Sequence, residues 1–230
     1  RYSADNTTVA VAGKVDFEKF VAEVDSLCGG WKSTGVVRSA DHGKTGGGHF
    51  TLKNESVNRG YVLAMFDGPA MHDERRYAAA ILSQILGAPD NSRLHWALIE
   101  PGIAEEAQTS FDAHDGFGDF FVFASGDPAK LDQIWSTIDK ELTNLVDSLV
   151  QEDIDRLLNK FITGATIGGE RPHDRMHRLG RMWLYLEKHL ALEEELKKLS
   201  AVTLADLRDV AKAFSLTPTT VGRLVPADAQ

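Results

Sequence analysis

Asp127-Pro128 divides this chain into two regimes of hydrophobic period. Before it, extended runs alternate with amphipathic helical segments. After it the period is almost wholly helical until one last strand. A chain with that order must fold as helices and sheet in separate blocks, not as a regular alternation of the two.

Residues 7–12 (Thr-Thr-Val-Ala-Val-Ala) are β-branched and stop at Gly13, which predicts a strand. Asp16 stands where it caps a helix to about Leu27, with Phe17, Phe20, Val21, Val24 and Leu27 on one face. Gly29-Gly30 ends that helix. Residues 32–48 form a polar, Gly-rich connector. Residues 49–54 and 59–66 read as two strands around a turn at 55–58. A helix from about Asp73 to Leu86 ends at Gly87. Residues 92–99 form a short helix stopped by Pro101-Gly102, and 103–113 with 118–125 a hairpin around 114–117. Helices follow over 128–149, 152–166, about 172–190 and 204–213, and 219–225 closes as a strand. Residues 164–169, rich in Gly, read as a helix–helix loop, with a hinge as the alternative. The order predicts an α+β fold, an antiparallel or mixed sheet with helices on one face.

At 230 residues and 43% hydrophobic content the chain is long enough for one large domain or two small ones with a proper core. Its apolar runs, 60–66 and 120–124 among them, fall well short of the ~20 residues a membrane helix needs. No bilayer span is expected, and the domain reads as soluble. Residues 1–6 have no apolar segment of the signal-peptide kind, so any targeting information is expected in a preceding region. A net charge of −9 argues against nucleic acid. The single cysteine, Cys28, excludes an internal disulfide and reads as a buried, inert thiol.

Three constellations invite a chemical reading. Gly43-Lys44-Thr45 with Gly46-Gly47-Gly48 resembles part of a phosphate loop, but Arg38 stands where the motif needs its first Gly. A flexible connector is the better reading. His173 and His177, at i and i+4, share a helix face as zinc ligation requires, with Asp174 where a base would sit. Arg175 and Arg178 would repel a dication there, and no third ligand is placed, so an independent metal site is the weakest alternative. Asp112, Asp115 and Asp119 lack the calcium-loop pattern and read as turn formers. The acidic run 193–195 reads as a solvated face. No complete catalytic set emerges.

The order of several short motifs resembles the second half of zinc peptidases of the pitrilysin, insulinase and mitochondrial processing peptidase family. Tyr2 with Asn6 leads into the apolar run and Gly13-Lys14-Val15-Asp16. Leu86-Gly87 precedes Ser92-Arg93-Leu94. Residues 98–104, 150–154 and 202–207 resemble the family's middle turn, late helical start and pre-helix segment. The resemblance covers essentially the whole chain and implies a two-layer α/β sandwich, mainly antiparallel, forming one inactive-peptidase domain over 1–230. Residues 1–125 would be its core and 126–230 its helical part. It implies no catalytic residue and no metal here, because His-x-x-Glu-His is missing. The zinc would lie on a preceding half or partner subunit, and the substrate would be an extended peptide enclosed between the two. The family's substrate-contacting turn maps onto Ile99, Glu100, Gly102 and Glu105, with Ile99 and Glu105 replacing an Arg and a Tyr. Neither substitute can donate a hydrogen bond to an oxyanion. That departure keeps a catalytically silent assembly or core subunit as the rival reading.

Overall fold

A computed structural model describes residues 3–35 and 47–228. They gather into two compact units, one of residues 3–35 with 161–196 and one of residues 47–160 with 197–228. In chain order the strands are β1 Gly48–Asn54, β2 Gly60–Gly68, β3 Glu106–Ala113, β4 Gly118–Gly126 and β5 Thr220–Pro226. The α-helices are α1 Phe17–Cys28, α2 Arg76–Gly87, α3 Leu131–Ser148, α4 Gln151–Glu170, α5 Pro172–Leu186, α6 Leu192–Ser200 and α7 Leu204–Ala213.

The larger unit holds the sheet, in the order β1-β5-β2-β4-β3. Every pairing is antiparallel except β1 with β5. The strands on either side of residues 55–58 therefore do not form a hairpin. The last strand of the chain lies between them, with Leu63 opposite Gly222 on one side and Phe50 opposite Gly222 on the other. Side chains alternate between two faces. Val62, Ala64, Phe66, Phe120, Val122, Ala124 and Val221 face the helices and are buried. Phe66, Phe120 and Phe111 make a cross-strand aromatic row, with centroids 5.2 and 4.8 Å apart. Ile81, Leu82 and Ile85 of α2, Ile134 and Ile138 of α3, and Leu207 and Val210 of α7 complete the core.

Two features of the resemblance acquire physical reasons here. A Cβ on Gly87 would sit 2.4 Å from the Thr109 backbone nitrogen, so only glycine lets α2 end against β3. Thr203 caps α7 reciprocally with Asp206, the capping-box arrangement that starts a helix after a short connector.

The smaller unit contains α1, α5 and the C-terminal part of α4. Asp16 caps α1 as expected, its carboxylate accepting the Lys19 N–H at 3.2 Å. Three expectations are overturned. Residues 7–12 form no strand, because no other strand lies beside them to complete a ladder. Residues 164–169 are neither loop nor hinge but the last turns of α4. The missing Cβ of Gly169 admits Leu192, whose Cδ2 would be 3.2 Å from it. Helix α5 stops at Leu186, not near Leu190, because Glu187 is left-handed at φ 51°. The acidic run 193–195 is solvated as expected, with Glu193 and Glu194 exposed, and it forms the first turn of α6, whose last turn carries Lys197 and Lys198, a charge order that suits the helix dipole. Residues 36–46, which include Gly43–Gly46 of the phosphate-loop-like stretch, lie outside the described residues, and Gly48 of that stretch starts β1.

Candidate functional site

Among the described residues, one face of the sheet in the larger unit leaves large apolar side chains exposed, and its composition is unusual. An antiparallel sheet normally turns polar side chains to water on its free face. Here that face carries Phe50 and Leu52 of β1, Leu63 and Met65 of β2, and Phe121 and Phe123 of β4. Leu63 is 41% exposed and Leu52 56%. The far edge of the Phe50 ring lies over Gly222, where a Cβ would come within 2.8 Å of it, and Tyr61 meets Phe123 at 6.2 Å between centroids. A contiguous apolar surface of this kind is a place where another molecule lies.

At one end of the same face three carboxylates stand in a row. Asp67 is directly opposite Asp119, and Asp119 directly opposite Asp112. Burial, and Asp112 beside it, hold the Asp119 carboxyl above its ordinary range, although His114 lies 3.3 Å away and works against the shift. Asp112 and Asp119 are thus strand residues. Only Asp115 is in the turn, where Gly116 at φ 82° makes the reversal.

The turn singled out from the sequence follows a short π-helix, His95–Ile99. Ile99 ends it half-buried, Glu100 and Gly102 are exposed, and Gly102 is left-handed at φ 67°. The Ile103 and Ala104 N–H groups donate back to the Leu98 carbonyl, and the Glu105 N–H donates to Ser125, tying the turn to the end of β4. The Glu105 carboxylate is engaged by Arg59 Nε at 2.8 Å. Arg59 was not singled out from the sequence. Its pairing with Glu105 bridges 46 positions and leaves no local signal.

His173 and His177 do share a helix face, with ring centroids 4.4 Å apart. His173 leans toward Asp174 at 3.4 Å, and Asp174 also lies 3.9 Å from Arg171. Two imidazoles without a third donor do not fit a zinc ion. Among the described residues no group of three or more His, Cys, Asp or Glu is disposed to hold a metal. Cys28 is half-buried where full burial was expected, because α1 leaves its apolar side largely open. No helix among the described residues is long and apolar enough to cross a membrane.

Among the described residues, then, a mixed sheet is backed by helices, turns an apolar face outward and gathers no group of three side chains disposed to hold a metal. The family model for the peptidase M16 inactive domain matches residues 1–161, and the chain belongs to that family. An uncharacterized zinc protease of Bacillus subtilis, YmxG, is 23% identical over 213 residues, covering 92% of this chain and 52% of the relative. The chain thus spans about half the length of the curated relatives it matches. In fold it is similar to a protease from Helicobacter pylori, with a TM-score of 0.80 at 18% identity over 94% of this chain and 54% of that one. It is likewise similar to a chain of Complex III2 from Candida albicans, with a TM-score of 0.74 at 15% identity and the same coverages.

Proposed function

We propose that this chain is the non-catalytic half of a zinc metallopeptidase and acts as a single domain over its 230 residues. It forms one wall of a chamber in which an extended peptide is cleaved by a zinc-bearing half. The observation that carries this reading is the bare apolar sheet face of Phe50, Leu52, Leu63, Met65, Phe121 and Phe123. An extended substrate presents alternating side chains, and a broad apolar wall holds them without demanding a sequence. The metal, and the base that activates water, belong to the other half. Ile99, Glu100, Gly102 and Glu105 form the turn that faces the substrate.

A photo-cross-linker in the parent polypeptide tests this. Placed at Leu63, it should capture a bound peptide substrate. Placed at Lys140, exposed on α3, it should not. Equal capture at both positions refutes the chamber wall.

A silent assembly subunit is the second reading, and the Arg59–Glu105 pair favours it, because that pair occupies the turn where a substrate-binding Tyr would otherwise stand. A zinc-loaded parent that turns over no peptide would support it.

A further inference from the structure

An apolar wall grips the side chains of an extended peptide but leaves its backbone without partners. Among the described residues, the register puts four charged strand side chains on the apolar sheet face, all of them carboxylates: Asp67, Glu106, Asp112 and Asp119. Arg59, one residue before β2, brings a guanidinium group to the end of that face beside Tyr61. Both it and its partner are firmly based. A Cβ on Gly60 would lie 3.1 Å from the Pro128 Cα, so close packing fixes the start of β2. The Glu105 N–H donates to the Ser125 carbonyl at 2.8 Å, and the Glu105 carboxylate accepts the Arg59 Nε–H at 2.8 Å. Among the described residues that is the one hydrogen bond of the Arg59 side chain, which is 47% exposed. The two Nη groups, at the opposite edge of the fork, stay open to a ligand.

We infer that Arg59 holds the main chain of the peptide on this wall: its Nη groups donate to a backbone carbonyl of the extended substrate, and Glu105 is the positioning residue that aims them. This rests on the chamber-wall reading above and names a binding residue within it. The charges around the guanidinium group decide what it takes. Glu105 first, with Asp127 and Tyr61 behind it, raises its pKa above the usual value, so it stays a cation. Glu105 and Asp127 together nevertheless carry more negative charge than one guanidinium offsets. An anionic side chain of the peptide is therefore repelled. A carbonyl brings no net charge and has two lone pairs for the two Nη donors.

Peptide binding to the parent polypeptide tests the inference, read as KM and kcat with zinc loaded and as the Kd of a fluorescein-labelled peptide once the zinc is chelated. Arg59→Ala should raise KM and Kd by about 10-fold and leave kcat unchanged, since it removes a contact made equally before and during reaction. The loss should be the same for a peptide carrying Glu and for its Gln counterpart, because their main chains are identical. Glu105→Gln should weaken binding in the wild type and add nothing to Arg59→Ala, the coupling expected of a residue that acts through another. Unaltered KM and Kd in Arg59→Ala overturn the inference and leave the chamber wall standing. A zinc-loaded parent that binds no peptide overturns both. A loss confined to the Glu peptide would make Arg59 a reader of anionic side chains, and additive effects of the two substitutions would separate it from Glu105. Either result overturns the inference.

Discussion

Arg93 and Asp153, sixty positions apart, are joined by a 2.7 Å ion pair. Each belongs to a stretch that carries the family resemblance, so two motifs distant in sequence are one structural lock. The same guanidinium group donates to the Ser148 carbonyl at 2.9 Å, and Asp153 also accepts the Val150 N–H at 3.2 Å. With its side chain only 5% exposed, Asp153 depends on protein partners, and Arg156 at 3.5 Å is a second cation beside it.

Arg93→Ala should cost about 2 kcal/mol, the scale of a hydrogen bond to a charged group, because Arg156 and the Val150 N–H still face Asp153. Urea denaturation measures it. Arg93→Lys keeps the charge but not the planar guanidinium whose Nη2 serves both Ser148 and Asp153, and should recover only part of the loss. A change below about 0.5 kcal/mol, the scale of exposed pairs, would show that the lock is ornamental.

Gly87→Ala should destabilise by about 1–3 kcal/mol, the range for forcing extra volume into a packed contact. The new methyl meets the Thr109 backbone, and backbone cannot swing aside as a flexible side chain does. Gly30→Ala, where a Cβ meets nothing within 4 Å, is the matched control and should be near neutral. Thermal melts of both variants compare them directly.

Asp119 supplies a pH dependence with a definite sign. Its carboxyl is raised above the ordinary value of 3.8, by burial first. The folded state therefore holds this proton more tightly than the unfolded state does. Its stabilising contribution is complete below pH 3.8 and is lost as pH rises through the folded value. Asp119→Asn removes that loss and the like charges opposite it, and should stabilise the protein at pH 7 by about 0.5 kcal/mol. The gain should vanish once the pH falls below 3.8. A variant less stable than wild type at pH 7 would mean that the His114 contact outweighs burial.

Much of this architecture is legible in the residues. The spacing of Phe17, Phe20, Val24 and Leu27 announces α1, and the runs flanking 114–117 announce the β3–β4 hairpin. What is not legible is non-local. Nothing in residues 48–68 says that β5 inserts between β1 and β2, because strand pairing is chosen by tertiary contacts that leave no local pattern. Helix α6 was hidden because Glu193, Glu194 and Glu195 read equally well as a solvated run or as a first helical turn. The apolar wall escaped for a different reason. Residues 60–66 are apolar on both faces, so without alternation they read as a strand buried on both sides. Only the placement of α2, α3 and α7 reveals which face stays bare.

The final prediction concerns Ile99 and Glu105. In the parent polypeptide, Ile99→Arg with Glu105→Tyr should raise peptidase activity, because each restored side chain can donate a hydrogen bond to substrate or to a developing oxyanion. One such donor is worth about 2.7–4 kcal/mol in acyl-transfer sites. The observed gain should be smaller, for two reasons found in the structure. Ile99 is half-buried at the end of the π-helical turn, so an arginine must first find its way out. Glu105 also holds Arg59, and its replacement frees a guanidinium group beside the new tyrosine. Losing that exposed pair should itself cost little, because solvent screens it, so a melt of the variant should stay close to wild type. The single variant Glu105→Gln separates the two effects, since it releases Arg59 without adding a phenol. If kcat/KM of the folded, zinc-loaded double variant is unchanged while the melt falls, Ile99 is a packing residue and Glu105 a surface charge. The turn would then have no part in binding substrate.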